Sequence, residues 1–113
     1  MIRNASRKKT LIGSSEIMNS YFQKSTGLMF HSKVDKGLIF PFKKARRIGI
    51  HMLFVFTPID ILFLNEENKI VEITEGLKPF CFYMSKNRAR TFVELPSGTV
   101  NKTKTRIGDK IEY

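Results

Sequence analysis

Asp60, His51 and His31 are the side chains that could do acid–base or ligand chemistry from an otherwise apolar setting. Asp60 follows Thr57-Pro58-Ile59 and opens the run Ile61-Leu62-Phe63-Leu64, so its carboxylate stands beside apolar strand residues, where desolvation shifts proton affinity. Such a group can bind a ligand or move a proton. The simpler role is structural, and it is the preferred one: an Asp beside a proline turn accepts backbone N–H bonds and fixes the turn. His51 could ligate a metal or act as an acid or base, although a single histidine in an apolar run is more often a hydrogen-bonded core or boundary residue. If Ile50–Phe56 and Ile61–Leu64 pair as a hairpin around Pro58, His51 lies roughly 16 Å from Asp60 at ~3.3 Å per residue, too far to share an ion or a proton. His31 belongs to another element, and no spacing ties it to either.

Other chemistries find less support. There is no H-x-x-x-H, C-x-x-C or HExxH spacing, so no metal site is expected, and no phosphate loop or dinucleotide fingerprint that would call for a cofactor. Ser14-Ser15 and Ser97-Gly98 lack the strand–elbow–helix setting of an activated serine. Cys81, the single cysteine, sits in Pro79-Phe80-Cys81-Phe82-Tyr83 and reads as a small buried hydrophobe, with aromatic neighbours that raise rather than lower a thiol pKa. An enzyme is unsupported. A small hydrolase or isomerase built on Asp60 ranks third among the readings.

The elements that must position these residues are mostly strands. Leu38 to Phe42, Ile48 to Phe56, Asp60 to Asn65, Lys69 to Thr74, Arg90 to Leu95 and Asp109 to Tyr113 have strand character, with Glu66-Glu67-Asn68 and Pro96-Ser97-Gly98 as turns. Ile50–Phe56 and Ile61–Leu64 are apolar on both faces and belong in the middle of a core, with Phe54, Phe56, Leu62 and Leu64 deeply buried. A short helix is expected over Glu16 to Lys24, capped by Ser14 or Ser15, and a helical turn over Thr99 to Thr105. Met1 to Thr10 reads as a flexible basic arm, and residues 11–113 as one domain. Ten Phe and no Trp imply a Phe-dominated core. The fold class is mainly β, a β-sandwich or partly closed antiparallel barrel with one or two short helices.

The stretch Ile48 to Leu64 is not a membrane span. It falls short of the ~20 residues a spanning helix needs, and His51, Thr57, Pro58 and Asp60 interrupt it. With no apolar run behind the basic N-terminus and no disulfide, the cytoplasm is the expected location.

Charge points toward polyanions without naming one. Lys and Arg number 20 against 10 Asp and Glu, a net charge of +10. The excess clusters at Lys43, Lys44, Arg46 and Arg47 and again at Lys86, Arg88 and Arg90. Phe80, Phe82 and Tyr83 lie beside the latter group, but Phe80 and Phe82 read as core, leaving Tyr83 as the one aromatic free to stack on a base. A solvated basic surface is the preferred reading, and a nucleic-acid partner is second.

Gly27-Leu28-Met29-Phe30, Gly37-Leu38-Ile39-Phe40, Met52 with Pro58-Ile59-Asp60-Ile61-Leu62-Phe63-Leu64-Asn65, Phe92-Val93-Glu94-Leu95-Pro96-Ser97-Gly98 and Ile107-Gly108-Asp109-Lys110 stand in this order along the chain. Together they resemble the successive motifs of domain-of-unknown-function family 192, also called uncharacterised protein family 0127. The resemblance implies a compact, mainly antiparallel β-domain without an agreed biochemical role. Met52 and Glu94 fall at matched positions and join Asp60, His51 and His31 as ligand-binding candidates. Where family members often carry Met-Lys-Asn-Thr-x-x-Pro, this chain has Met52-Leu53-Phe54-Val55-Phe56-Thr57-Pro58, so Leu53, Phe54 and Val55 supply none of those polar groups. The expected function is a binding or accessory module for an unidentified ligand, with a small molecule near Asp60 as the first candidate.

Overall fold

A strand built from Ile59-Asp60-Ile61-Leu62-Phe63-Leu64 has apolar side chains on both faces and must be covered on both. The computed structural model describes residues 1–18, 35–52 and 55–113, and in it all six of these residues are buried. In chain order the strands are β1 (Ile2–Asn4), β2 (Lys9–Ile12), β3 (Ser15–Ile17), β4 (Gly37–Arg46), β5 (Gly49–His51), β6 (Ile59–Leu64), β7 (Ile70–Leu77), β8 (Phe82–Met84) and β9 (Ala89–Pro96), then helix α1 (Thr99–Thr103) and β10 (Ile111–Glu112). The central sheet runs β3-β4-β9-β6-β7, with β3 and β4 parallel and every other pair antiparallel.

Alternation along the central strands sends side chains to two cores. One face carries Leu38, Phe40, Phe92, Ile59, Ile61 and Phe63, and the β5–β8 ribbon closes it with Ile48, Ile50 and Tyr83. Phe40 stacks on Phe92 with ring centroids 4.4 Å apart. The opposite face carries Ile39, Val93, Leu95, Leu62 and Leu64, covered by Ile2, Leu11 and Ile111 of the β10-β1-β2 sheet and by Val100 of α1. The result is a layered, mainly β single domain in which the described strands close no barrel. Among the described residues no helix is long and apolar enough to cross a membrane.

Several local expectations fail for identifiable reasons. Met1 to Thr10 is not a free arm: β1 pairs with both β2 and β10, and Ile2 and Asn4 are fully buried. The helix expected from Glu16 does not begin there, because Ser15–Ile17 pairs in parallel with Gly37–Ile39. Its positions from Asn19 on, with Phe54 and His31, lie outside the described residues. Ile48–Phe56 is not one strand, and it does not pair with β6. The chain leaves the ribbon after His51, where the Met52 N–H bonds the Cys81 carbonyl and the Met52 carbonyl accepts from Phe80 and Val55. β6 pairs with β7 and β9 instead. Phe56 is 50% exposed, and Cys81 is exposed rather than buried.

Candidate functional site

Asp60 is placed by β6 at the end of the sheet where β7 finishes and α1 begins. Its Oδ1 accepts the Gly76 N–H at 2.9 Å, and its Oδ2 accepts the N–H groups of Gly98 at 3.1 Å and Val100 at 2.9 Å. Gly76 and Gly98 have φ of 61° and 94°, a region that favours glycine, and each thereby turns its N–H onto the carboxylate. Asp60 is fully buried with both oxygens engaged by backbone. It ties β6, β7 and α1 together and has no face left for a ligand. A groove of about 210 Å³ beside α1 is lined by Glu75, Val100, Asn101, Lys104, Thr105 and Arg106, and Asp60 does not border it. The structural reading has the carboxylate accepting N–H groups at the turn after Pro58; the N–H groups it accepts are those of Gly76, Gly98 and Val100 instead.

Glu94 is different. It lies in β9 opposite Leu38 on one side and Ile61 on the other, and Ile61 in turn faces Thr74 of β7. Glu94 is only 7% exposed, and among the described residues its Oε2 has no hydrogen-bond partner. Burial pushes its carboxyl up to about 8. Thr74, on the same sheet face roughly 10 Å away at ~4.8 Å per strand, has a buried Oγ1 that also lacks a bond of normal geometry. It sits by the Tyr83 phenol, close enough to act on its titration, but the phenol proton goes to Glu72.

Glu72, one row along that face, shows a carboxylate that is fully used. It accepts Tyr83 Oη, the N–H groups of Lys86 and Asn87, and Asn87 Nδ2. Burial disfavours its charge, yet these donors outweigh burial and hold Glu72 below the ordinary carboxylate range. Asp109 follows the same pattern. Burial pushes it up, but Asn4, the Arg106 N–H and Arg7 prevail, with Arg7 Nε at 2.8 Å and Asn4 Nδ2 at 2.9 Å. Of the four acids buried among the described residues, Asp60, Glu72 and Asp109 are held by donors and Glu94 is not.

The remaining candidates scatter. Met52 is 1% exposed and serves the core. His51 is exposed on β5 opposite Phe82, in a different sheet from Asp60, so no pair forms between them. Lys43, Lys44, Arg46 and Arg47 are exposed on or just after β4, whose register with β9 shifts between Pro41 and Arg46. Lys86, Arg88 and Arg90 are exposed at the β8–β9 junction, with Arg90 Nε bonded to the Phe42 carbonyl at 2.7 Å. The aromatic assignment is reversed. Tyr83 packs inward on Phe63, with centroids 5.9 Å apart, whereas Phe80 and Phe82 are 55% and 64% exposed. Thr74 and Glu72 went unnoticed in the sequence, because nothing local marks a polar residue as facing a closed layer.

Among the described residues, fold and site define a small layered β-domain with a buried carboxyl whose Oε2 has no hydrogen-bond partner and with no group of three metal-ligating side chains. The chain belongs to the DUF192 family, described as "Uncharacterized ACR", whose model matches residues 2–113. It is 35% identical to a UPF0127 protein of Pyrococcus horikoshii, over all of this chain and 98% of that protein. A UPF0127 protein of Thermococcus sibiricus is 30% identical over all of this chain and 74% of its own length. Its structure is similar to that of a candidate transcription regulator from Sinorhizobium meliloti, with a TM-score of 0.81, 27% identity and coverage of 87% of this chain and 79% of that one. A protein of unknown function from Novosphingobium aromaticivorans shares the fold at a TM-score of 0.81 and 21% identity, over 88% and 74% of the two chains.

Proposed function

We propose that the domain is a binding module for a small, uncharged polar ligand, and that Glu94 is its recognition group. The observation that carries this reading is the buried Glu94 carboxyl, whose Oε2 lacks a partner among the described residues. A buried polar group without a bond is costly, and a ligand that hydrogen-bonds to it would remove that cost. With its pKa raised to about 8, the group is largely protonated at neutral pH and offers one O–H donor and one carbonyl acceptor. That pair complements a ligand with an acceptor and a donor on adjacent atoms, such as a primary amide or a lactam. The net charge of +10 disfavours a cationic ligand. Catalysis is not assigned, since no nucleophile or second acid–base group accompanies Glu94 among the described residues.

The test is saturation-transfer NMR with a panel of small amides, lactams and amines, run against the wild type and Glu94→Leu. Amide or lactam signals that vanish in Glu94→Leu and persist in Asp60→Asn are expected. Signals unchanged by Glu94→Leu, or arising only from amines, would contradict the assignment.

A further inference from the structure

The outer face of the β5–β8 ribbon takes no part in either core. Ile48, Ile50 and Ser85 turn inward and are buried, and Tyr83 packs with them. Gly49, His51, Phe82 and Met84 are left facing outward, with the Phe82 ring and the Met84 methyl lying over Gly49. Phe82 is 64% and Met84 42% exposed. Continuing the register Gly49–Met84 and Ile50–Tyr83 beyond the Ser85 N–H to Ile48 carbonyl bond brings Arg47 opposite Lys86. Arg47 Nε donates to the Ser85 carbonyl at 2.8 Å, which aims its guanidinium along this edge. The face therefore grades from an aromatic ring to cations over about 13 Å, at ~3.3 Å per residue. Arg46, whose Nε donates to the Arg47 carbonyl at 3.3 Å and whose guanidinium lies over the Phe42 ring, and Arg88, next to Arg46's register partner Ala89, add charge beside this edge. At the aromatic end Phe80 meets Phe56 edge-on at 5.8 Å, and Phe80 holds a φ of 64°, which side-chain-bearing residues rarely adopt.

We propose that this face binds an unpaired nucleic-acid strand, with bases stacked on Phe82 and the neighbouring Phe80–Phe56 pair and phosphates held by Arg47, Lys86, Arg46 and Arg88. Stacking platforms interleaved with cations suit a single strand, whose bases are free to leave their own stack. The charge is complementary. Among the described residues none of these four cations is ion-paired, and Glu72, the carboxylate bonded to this turn, is buried and saturated by donors. Those bonds also fix the Lys86–Asn87 backbone, so less ordering is needed when the cations engage phosphate. A second copy of the same face would bring like charges together, which opposes self-association here. The site is independent of Glu94.

The test is fluorescence anisotropy of a labelled oligouridine of about twelve nucleotides, at about 50 and about 200 mM salt, with a duplex of equal length, heparin and phosphatidylserine vesicles as competitors. Phe82→Ala should weaken oligouridine binding about tenfold while leaving the melting curve unchanged, since the ring is mostly exposed. Arg47→Ala/Lys86→Ala should reduce the log–log salt slope by about 1.4, or ~0.7 for each phosphate contact. Lys9→Ala/Lys102→Ala should change neither quantity. Wild-type affinity in Phe82→Ala would overturn the proposal. So would duplex, heparin or vesicles competing as well as the unlabelled strand, or a Phe82-dependent dimer in sedimentation without binding.

Discussion

Replacing Glu94 by Gln keeps the side chain's shape and its carbonyl acceptor but removes the ionisation. In the folded chain the carboxyl releases its proton at about 8, against an ordinary value of 4.5, and burial is the cause. Its cross-strand neighbours are Leu38 and Ile61, with Phe92 two residues along, so no partner among the described residues offsets the burial. Between these two pH values the unfolded chain has lost a proton that the folded chain retains, and stability falls as pH rises. The slope is about 1.4 kcal/mol per pH unit, which gives a cost of roughly 3 kcal/mol at pH 7 and about 5 kcal/mol by pH 8 and above. Against a typical domain stability of ~5–15 kcal/mol, this is a large penalty to keep for no purpose.

Glu94→Gln should therefore match the wild type near pH 4 and exceed it by roughly 3 kcal/mol at pH 7, a rise in melting temperature on the order of 10 °C. Urea denaturation at half-unit pH steps from 4 to 9 reads this directly. The difference between the two proteins should grow steadily with pH and level off above 8. Parallel curves would mean that the carboxyl titrates normally, and the burial argument would fail.

Asp60→Ala removes the acceptor of three backbone N–H groups and should cost on the order of 3–5 kcal/mol in urea denaturation, with Asp60→Asn milder because one oxygen remains. A loss below about 1 kcal/mol would remove Asp60 from its tethering role. On the acid side, Glu72 and Asp109 are held below the ordinary carboxylate range, so the stability they confer is present above their unfolded values and is lost as pH falls through their folded ones. With Glu94 acting in the opposite sense, wild-type stability should peak at about pH 4–5 and the peak should move toward neutrality in Glu94→Gln; thermal melts across pH 2–9 (an approximate range) check both.

What the sequence made legible follows from how many faces a residue's burial depends on. β6 was readable because Ile59–Leu64 is apolar at every position but Asp60, and only a central strand of a covered sheet tolerates that. β4 and β9 were readable from their apolar runs, and β7 from a mixed, edge-like pattern after the Glu66-Glu67-Asn68 turn. The short strands β1, β3 and β8 were not, because each exists through a long-range partner rather than through its own pattern. Phe80, Cys81 and Phe82 read as core residues, yet a two-stranded ribbon covers one face only, which leaves Phe82 and Met84 outside. Asp60 was singled out because it interrupts an apolar run. Glu94 carries the same signal, between Phe92-Val93 and Leu95, but Pro96-Ser97-Gly98 after it suggested a strand end with an ordinary structural job. Its burial depends on β4 and β6 flanking it, and no local pattern contains that.

Carbon-13 NMR of the Glu94 side-chain carboxyl, titrated between about pH 3 and about pH 10 with Glu94→Gln used for assignment, tests the central claim most directly. A midpoint near 8 is expected from the burial of this group. A midpoint near 4.5 would show a hydrated or already partnered carboxylate and would contradict Glu94 as the recognition group.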